Sequence, residues 1–182
     1  MNLRFLLLTG ALVASTNWAT AQAAPAAPAP AAPAPTTIGT FSAWSAYVSN
    51  DAGGKTCFAA TQPKNSKYSR TISTRGDAFF MITTIPAKSI KNEASTIIGF
   101  PLKAGSDVTA DVDGTKFKMF FNDATGETSW AVPDQEAALV AAMKKGTSLN
   151  VTSKSSRGTD VTDTYSLSGI SAALDAIAKQ CQ

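Results

Sequence analysis

The sequence has no histidine at all. That removes the commonest general base and the commonest transition-metal ligand, and it makes Ser-His-Asp and Cys-His catalysis impossible within this chain. Cysteine is nearly as scarce. Cys57 and Cys181 are the only two, which without histidine gives zinc no plausible ligand set. Charged residues make up only 16% of the chain, and the formal balance is +3 at pH 7. Neither a nucleic-acid footprint nor strong membrane steering follows from so small an excess. Beyond the first residues there is no long apolar run. The mature chain is therefore expected to be soluble, without a transmembrane segment, a nucleic-acid partner or a cofactor.

What is present begins with a pattern for export. Arg4 supplies a positive head, Phe5 to Ala14 an apolar middle, and Ala21-Gln22-Ala23 a small-x-small cleavage site. Residues 1–23 read as a signal peptide; the apolar stretch is short for a membrane span, and an uncleaved anchor is the alternative. Cleavage would remove Arg4 and bring the balance from +3 to +2. No cysteine stands near the cleavage point, so a lipid-modified amino terminus is not expected. Residues 24–40 form a leader whose first part, Ala24 to Pro35, is almost purely alanine and proline. Such composition builds no core and favours extended polyproline-type conformations. Residues 41–182 are long enough for one domain with a real core.

Within that domain short strands dominate. Expected strands are Phe41–Val48, Thr56–Thr61, Ala78–Ile85, Ala94–Phe100 and Thr128–Val132, and the polar run Lys64–Arg70 reads as an exposed loop. Asp113-Gly114 predicts a two-residue primed hairpin turn, because both positions need positive φ. The turn fixes the register: Val112 against Thr115, Ala110 against Phe117, Val108 against Met119, with Asp111 opposite Lys116. Pro133-Asp134 opens a helix that runs from Gln135 to Lys145 and stops at Gly146, with Leu139, Val140 and Met143 on its apolar face. Leu149 and Val151 mark a further strand.

The end of the chain is the most informative part. From Val161 to Leu167 the residues alternate, with Val161, Asp163, Tyr165 and Leu167 on one face. After Ser168-Gly169 the period becomes helical, and Ile170, Leu174, Ile177 and Cys181 form one stripe. Ser168 is placed to cap this helix, and Asp175 with Lys179 forms an i,i+4 pair. Cys181 points inward with the stripe, and export makes a disulfide to Cys57 chemically reasonable; two unrelated buried thiols are the alternative. Many short strands with two helices argue for an antiparallel β-sandwich.

Local motifs carry little chemistry. Gly53-Gly-Lys-Thr56 resembles the tail of a phosphate loop but lacks the earlier glycine and the following helix. Asp111-x-Asp113-Gly114 has too few oxygen ligands for calcium and is better explained as a turn. Gly169-Ile-Ser171 lacks the second glycine and the histidine partner of a hydrolase elbow. The densest polar group is Arg157-Gly-Thr-Asp160 with Asp163 and Tyr165. One reading makes Arg157, Asp160 and Asp163 an exposed recognition surface. The favoured reading is structural: Gly158 turns the chain, Arg157 pairs with an acid, and Tyr165 fills the core with its hydroxyl satisfied. Trp44 and Trp130 are expected in the core.

Taken together, Trp44 before Cys57, Ile98-Gly-Phe-Pro-Leu-Lys103, Asp113-Gly114, Trp130-Ala131 and Asp163-Thr-Tyr-Ser-Leu-Ser-Gly-Ile170 with its trailing helix resemble the invasion-associated locus B family of exported bacterial proteins. The resemblance covers nearly all of 41–182. It implies an immunoglobulin-like β-sandwich in the periplasm or at the outer membrane, and a link to host-cell entry in some pathogens. It supplies no catalytic residues. Tyr47 follows the first tryptophan where a cysteine can stand in relatives, so a second disulfide is not expected. The function expected is a non-enzymatic envelope protein that binds a protein or envelope component. The rivals are a periplasmic hydrolase working through two carboxylates and a structural stabiliser of the envelope.

Overall fold

The computed structural model describes residues 34–182 except 52, 73 and 123–125. The segment read as a signal peptide and most of the leader lie outside the described residues. Eleven strands form one antiparallel sheet: β1 Thr36–Phe41, β2 Trp44–Asp51, β3 Gly54–Thr61, β4 Asn65–Tyr68, β5 Phe79–Ile85, β6 Ile90–Ile97, β7 Val108–Val112, β8 Thr115–Phe120, β9 Thr128–Ala131, β10 Ser148–Lys154 and β11 Asp160–Ser166. Two helices accompany it, α1 Pro133–Lys145 and α2 Ile170–Gln180. The strand order is β1-β2-β3-β5-β6-β9-β8-β7-β10-β11-β4.

This is the mainly β, antiparallel architecture that the pattern predicts, with its internal and C-terminal helices. The layers are not separate sheets, however. Short β9 joins β6 to β8, and the sheet curls so that distant strands face each other. Phe80 on β5 meets Tyr165 on β11 edge-on, with ring centroids 5.9 Å apart. The Trp44 indole N–H on β2 donates to the Ser166 carbonyl on β11 at 2.9 Å. Trp44, Phe80, Ile82, Val151 and Tyr165 are all fully buried in this shared core. Each large side chain so buried contributes about 1.5–3 kcal/mol.

The hairpin forms in the predicted register, with Asp113 at φ 47° and Gly114 at φ 97°. Asp111 accepts the Gly114 N–H at 2.7 Å. The stripe of α2 is buried as the period requires, and Cys57 and Cys181 are joined by a disulfide spanning 124 residues. Its start differs from expectation. Gly169, at φ 91°, is the N-cap, and no side chain caps the helix. A side chain at 169 would run into the Phe41 carbonyl, so glycine lets the helix begin tight against the β1–β2 turn. Lys55 donates to the Gln180 carbonyl at 3.1 Å, tying down the other end of α2.

Three further expectations are corrected. The strand predicted over Phe41–Val48 is a hairpin: β1 begins at Thr36, inside the stretch read as leader, and Ile38 packs against the core. A register shift between Thr37 and Gly39 breaks the alternation of β1. The turn itself, with Ser42 at φ 53°, uses neither glycine nor asparagine. Second, the polar run Lys64–Arg70 contains β4, an edge strand paired with β11. Short, lysine-bearing edges are how sheets avoid pairing with other chains, and that polarity hides the strand. Third, Trp130 is half-buried on the outer face beside exposed Phe120, their centroids 6.0 Å apart.

Candidate functional site

The inward alternation of β11 puts a carboxylate where only apolar groups are comfortable, because Asp163 shares its face with Val161 and Tyr165. Its side chain is fully buried. A lone buried charge is costly, so it must be paired and hydrogen-bonded. The partner is Arg75, from the segment between β4 and β5. Its guanidinium grips Asp163 in bidentate fashion, with Nη1 donating to Oδ1 at 2.7 Å and Nη2 to Oδ2. Ser66 on β4 adds an O–H donation to Oδ1 at 2.6 Å. Arg75 Nε donates to the Ile98 carbonyl at 2.7 Å, and Nη1 to the Tyr68 hydroxyl at 3.2 Å. The guanidinium also lies over the Phe100 ring, 5.2 Å from its centroid. Burial alone would pull the Arg75 pKa down, but the bonds to Asp163 and Tyr68 more than offset it, holding the group above its ordinary value.

This buried pair underlies a cleft of about 790 Å3. One wall follows β4, through Arg70 and Thr71; another is Phe100-Pro101; the third is the β10–β11 turn. Hydrogen bonds fix that turn. Ser155 O accepts the Gly158 N–H at 2.7 Å, Ser155 N donates to Thr159 O at 2.9 Å, and Ser155 Oγ accepts the Thr159 N–H at 3.0 Å. Gly158 closes the turn at φ 83°, a conformation glycine adopts without strain. Arg157 is thereby presented at the rim. Arg70 reaches the same turn, donating to the Gly158 carbonyl at 3.2 Å.

The three residues read as a recognition surface thus separate. Arg157 is exposed and lines the cleft. Asp160 is exposed and paired with Lys154 at 2.8 Å. Asp163 is not on the surface but beneath it, because β11 turns it inward. Among the described residues Arg157 makes no ion pair, contrary to the structural reading, whose acids are taken by Lys154 and Arg75. Tyr165 fills the core as expected, yet its hydroxyl has no hydrogen-bond partner of normal geometry. Burial, with the Asp163 charge, pushes its pKa up, and nearby Thr96 offsets only part of this. Sequence reasoning passed over Arg75, and placed Arg70 only at the end of an exposed polar loop.

Two carboxylates do approach each other, Glu93 on β6 and Glu136 on α1. Burial, then the Glu136 charge, raises the Glu93 pKa. Glu136 is engaged by the Ala94 N–H at 2.9 Å, and neither acid lines the cleft. The hydrolase reading gains no support from them. Among the described residues no group of acidic or cysteine side chains could hold a metal ion, and no helix is long and apolar enough to cross a membrane.

The profile of a protein family described as Invasion associated locus B (IalB) protein matches residues 44–178. The chain belongs to the IalB family. A crystal structure of invasion associated protein b from Bartonella henselae superposes with a TM-score of 0.55 at 18% identity, covering 81% of this chain and 99% of that one. At that identity the likeness shows the fold alone. No curated protein matches. The matched span of the IalB profile takes in Trp44, Cys57, Arg75 and Asp163, and with them the buried pair and all three walls of the cleft, but stops short of Cys181.

Proposed function

We propose that this chain is an exported, non-enzymatic binding protein of the bacterial envelope, and that the cleft over the Arg75–Asp163 pair is its recognition surface. IalB membership and the Cys57–Cys181 disulfide support export, since such bonds persist in oxidising compartments. The amino-terminal pattern of residues 1–23 agrees. The partner is a protein or envelope component, and the family's association with invasion makes host-cell entry the process to examine.

The observation that carries this reading is Arg157. It stands at the rim of the cleft, held by a hydrogen-bonded turn and without an ion pair among the described residues, while the nearby acids Asp160 and Asp163 are already paired. The test is a photo-activated cross-linker at position 157 in intact cells, with position 88 on the Pro86–Lys88 turn as the remote control. A discrete partner captured from 157 and absent from 88 is expected. Equal capture from both positions, or robust turnover of an envelope substrate by the purified protein, would overturn the reading.

A further inference from the structure

We infer that the cleft takes a phosphate-bearing ligand whose remainder is apolar; this deepens the reading of the cleft as a recognition surface and rests on it. Three arginines line the cleft, Arg70, Arg75 and Arg157, against one carboxylate, Glu127. Arg75 is spent, because Asp163 neutralises it from below. Arg70 and Arg157 carry no carboxylate partner among the described residues. They come from different segments, yet one glycine links them: Gly158 follows Arg157 in the turn, and its carbonyl accepts from Arg70 at 3.2 Å. Two exposed arginines, one in the turn and one bonded to it, therefore line the same cleft with most of their N–H donors unused.

A planar carboxylate is satisfied by a single guanidinium fork. Two forks arriving from separate segments suit a tetrahedral group with oxygens to spare, which is the geometry of phosphate. Hydroxyls at Thr71, Thr74 and Ser156 line the same space and can serve the remaining oxygen. The same lining includes apolar surface from Ile72, Phe100, Pro101 and Val161. Inorganic phosphate would leave that surface uncovered, whereas a phosphorylated amphiphile would use both halves of the cleft.

The test titrates the folded protein by calorimetry with inorganic phosphate and with a short-chain phosphatidic acid. Arg70→Gln, Arg157→Gln and the double variant are compared with Lys88→Gln, an exposed charge away from the cleft. Both arginines are exposed, so their variants should keep the wild-type urea midpoint, which is checked alongside. The phosphatidic acid should bind, each arginine variant should weaken it by about tenfold or more, and Lys88→Gln should leave it within about twofold. It should also bind at least about tenfold more tightly than inorganic phosphate, through the apolar lining. Equal binding of the two would overturn the apolar half and assign the site to free phosphate. Binding of neither, or binding indifferent to both arginines, would overturn the inference entirely. Rim cross-links that persist while every phosphate titration is silent would remove this inference and leave the binding reading standing.

Discussion

The region around α2 and the region around the cleft are closed by opposite kinds of chemistry. At α2 an apolar stripe is pressed onto the sheet, and a covalent bond from Cys181 to Cys57 holds it there. At the cleft a buried guanidinium and a buried carboxylate pull the Arg75 segment onto β11, with Ser66, Tyr68 and the Ile98 carbonyl completing the set. Apolar contact is non-directional and tolerates repacking. A bidentate charge pair in a dry site tolerates little displacement, so it fixes the geometry of what lies above it. The difference teaches where each kind of closure belongs: the helix needs strength, whereas a recognition surface needs position.

The sharpest way to break this comparison is to remove the covalent tie. Cys57→Ser with Cys181→Ser should cost about 4–5 kcal/mol of unfolding free energy in the chain-entropy description, read from urea unfolding. The cleft should be unaffected, so ligand titration at low urea should match the wild type. A loss below about 1 kcal/mol would mean that the apolar stripe alone closes the helix and that the contrast in strength is illusory.

The second test attacks the polar closure. Arg75→Met leaves Asp163 buried and unpaired, which should cost about 3–5 kcal/mol. Arg75→Met combined with Asp163→Leu removes both charges and should recover most of that stability, since apolar replacements for a buried pair are often neutral or better. Recognition at the cleft should nevertheless stay impaired in the double variant, because nothing then fixes its floor. Stability by urea unfolding and partner capture from position 157 separate the two effects. A double variant as unstable as the single one would show that the pair stabilises through packing rather than through charge.

The same contrast explains what could be read from the chain in advance. Periodicity is a property of neighbours in sequence, and the α2 region is built from it: Val161 to Leu167 alternate, Ile170 to Cys181 follow a helical stripe, and both cysteines are unique. The cleft depends on Arg75, a lone charge in a polar stretch whose partner lies 88 residues away. No local pattern marks it. One signal was present and went unused. The alternation that puts Tyr165 in the core also puts Asp163 there, and a buried carboxylate demands a cation. Asking which arginine answers it would have narrowed the search to three residues after position 23 in a chain with few charges. Strand β4 and the β1–β2 turn were hidden for a simpler reason: the first is polar because it is an edge, and the second uses Ser42 where glycine or asparagine would have announced it.

The contrast is not merely apolar against polar, and Asp113 sharpens it with the smallest effect of the set. This residue is a polar tie on the helical side of the molecule, binding the β7–β8 turn to the chain just after α1. It accepts the Thr147 N–H at 2.7 Å, with the Thr147 hydroxyl and the Ser148 N–H each at 3.0 Å. Chiefly the Thr147 N–H, and then these other donors, hold its carboxyl below the usual carboxylate range against the opposing cost of desolvation. A carboxylate whose folded pKa is depressed adds stability that is present above its unfolded pKa, about 4, and is lost as pH falls through the lower folded value. Asp113→Asn does not titrate there. The wild type should therefore be the more stable at pH 7, with a gap that closes as the pH is lowered below about 4. Urea midpoints of the two proteins at pH 7, 5 and 3 read this directly. A gap independent of pH would assign the effect to hydrogen-bond geometry rather than to charge. Exposed to water, Asp113 can take up a proton without leaving a buried charge behind, which is what Asp163 beneath the cleft is built to avoid.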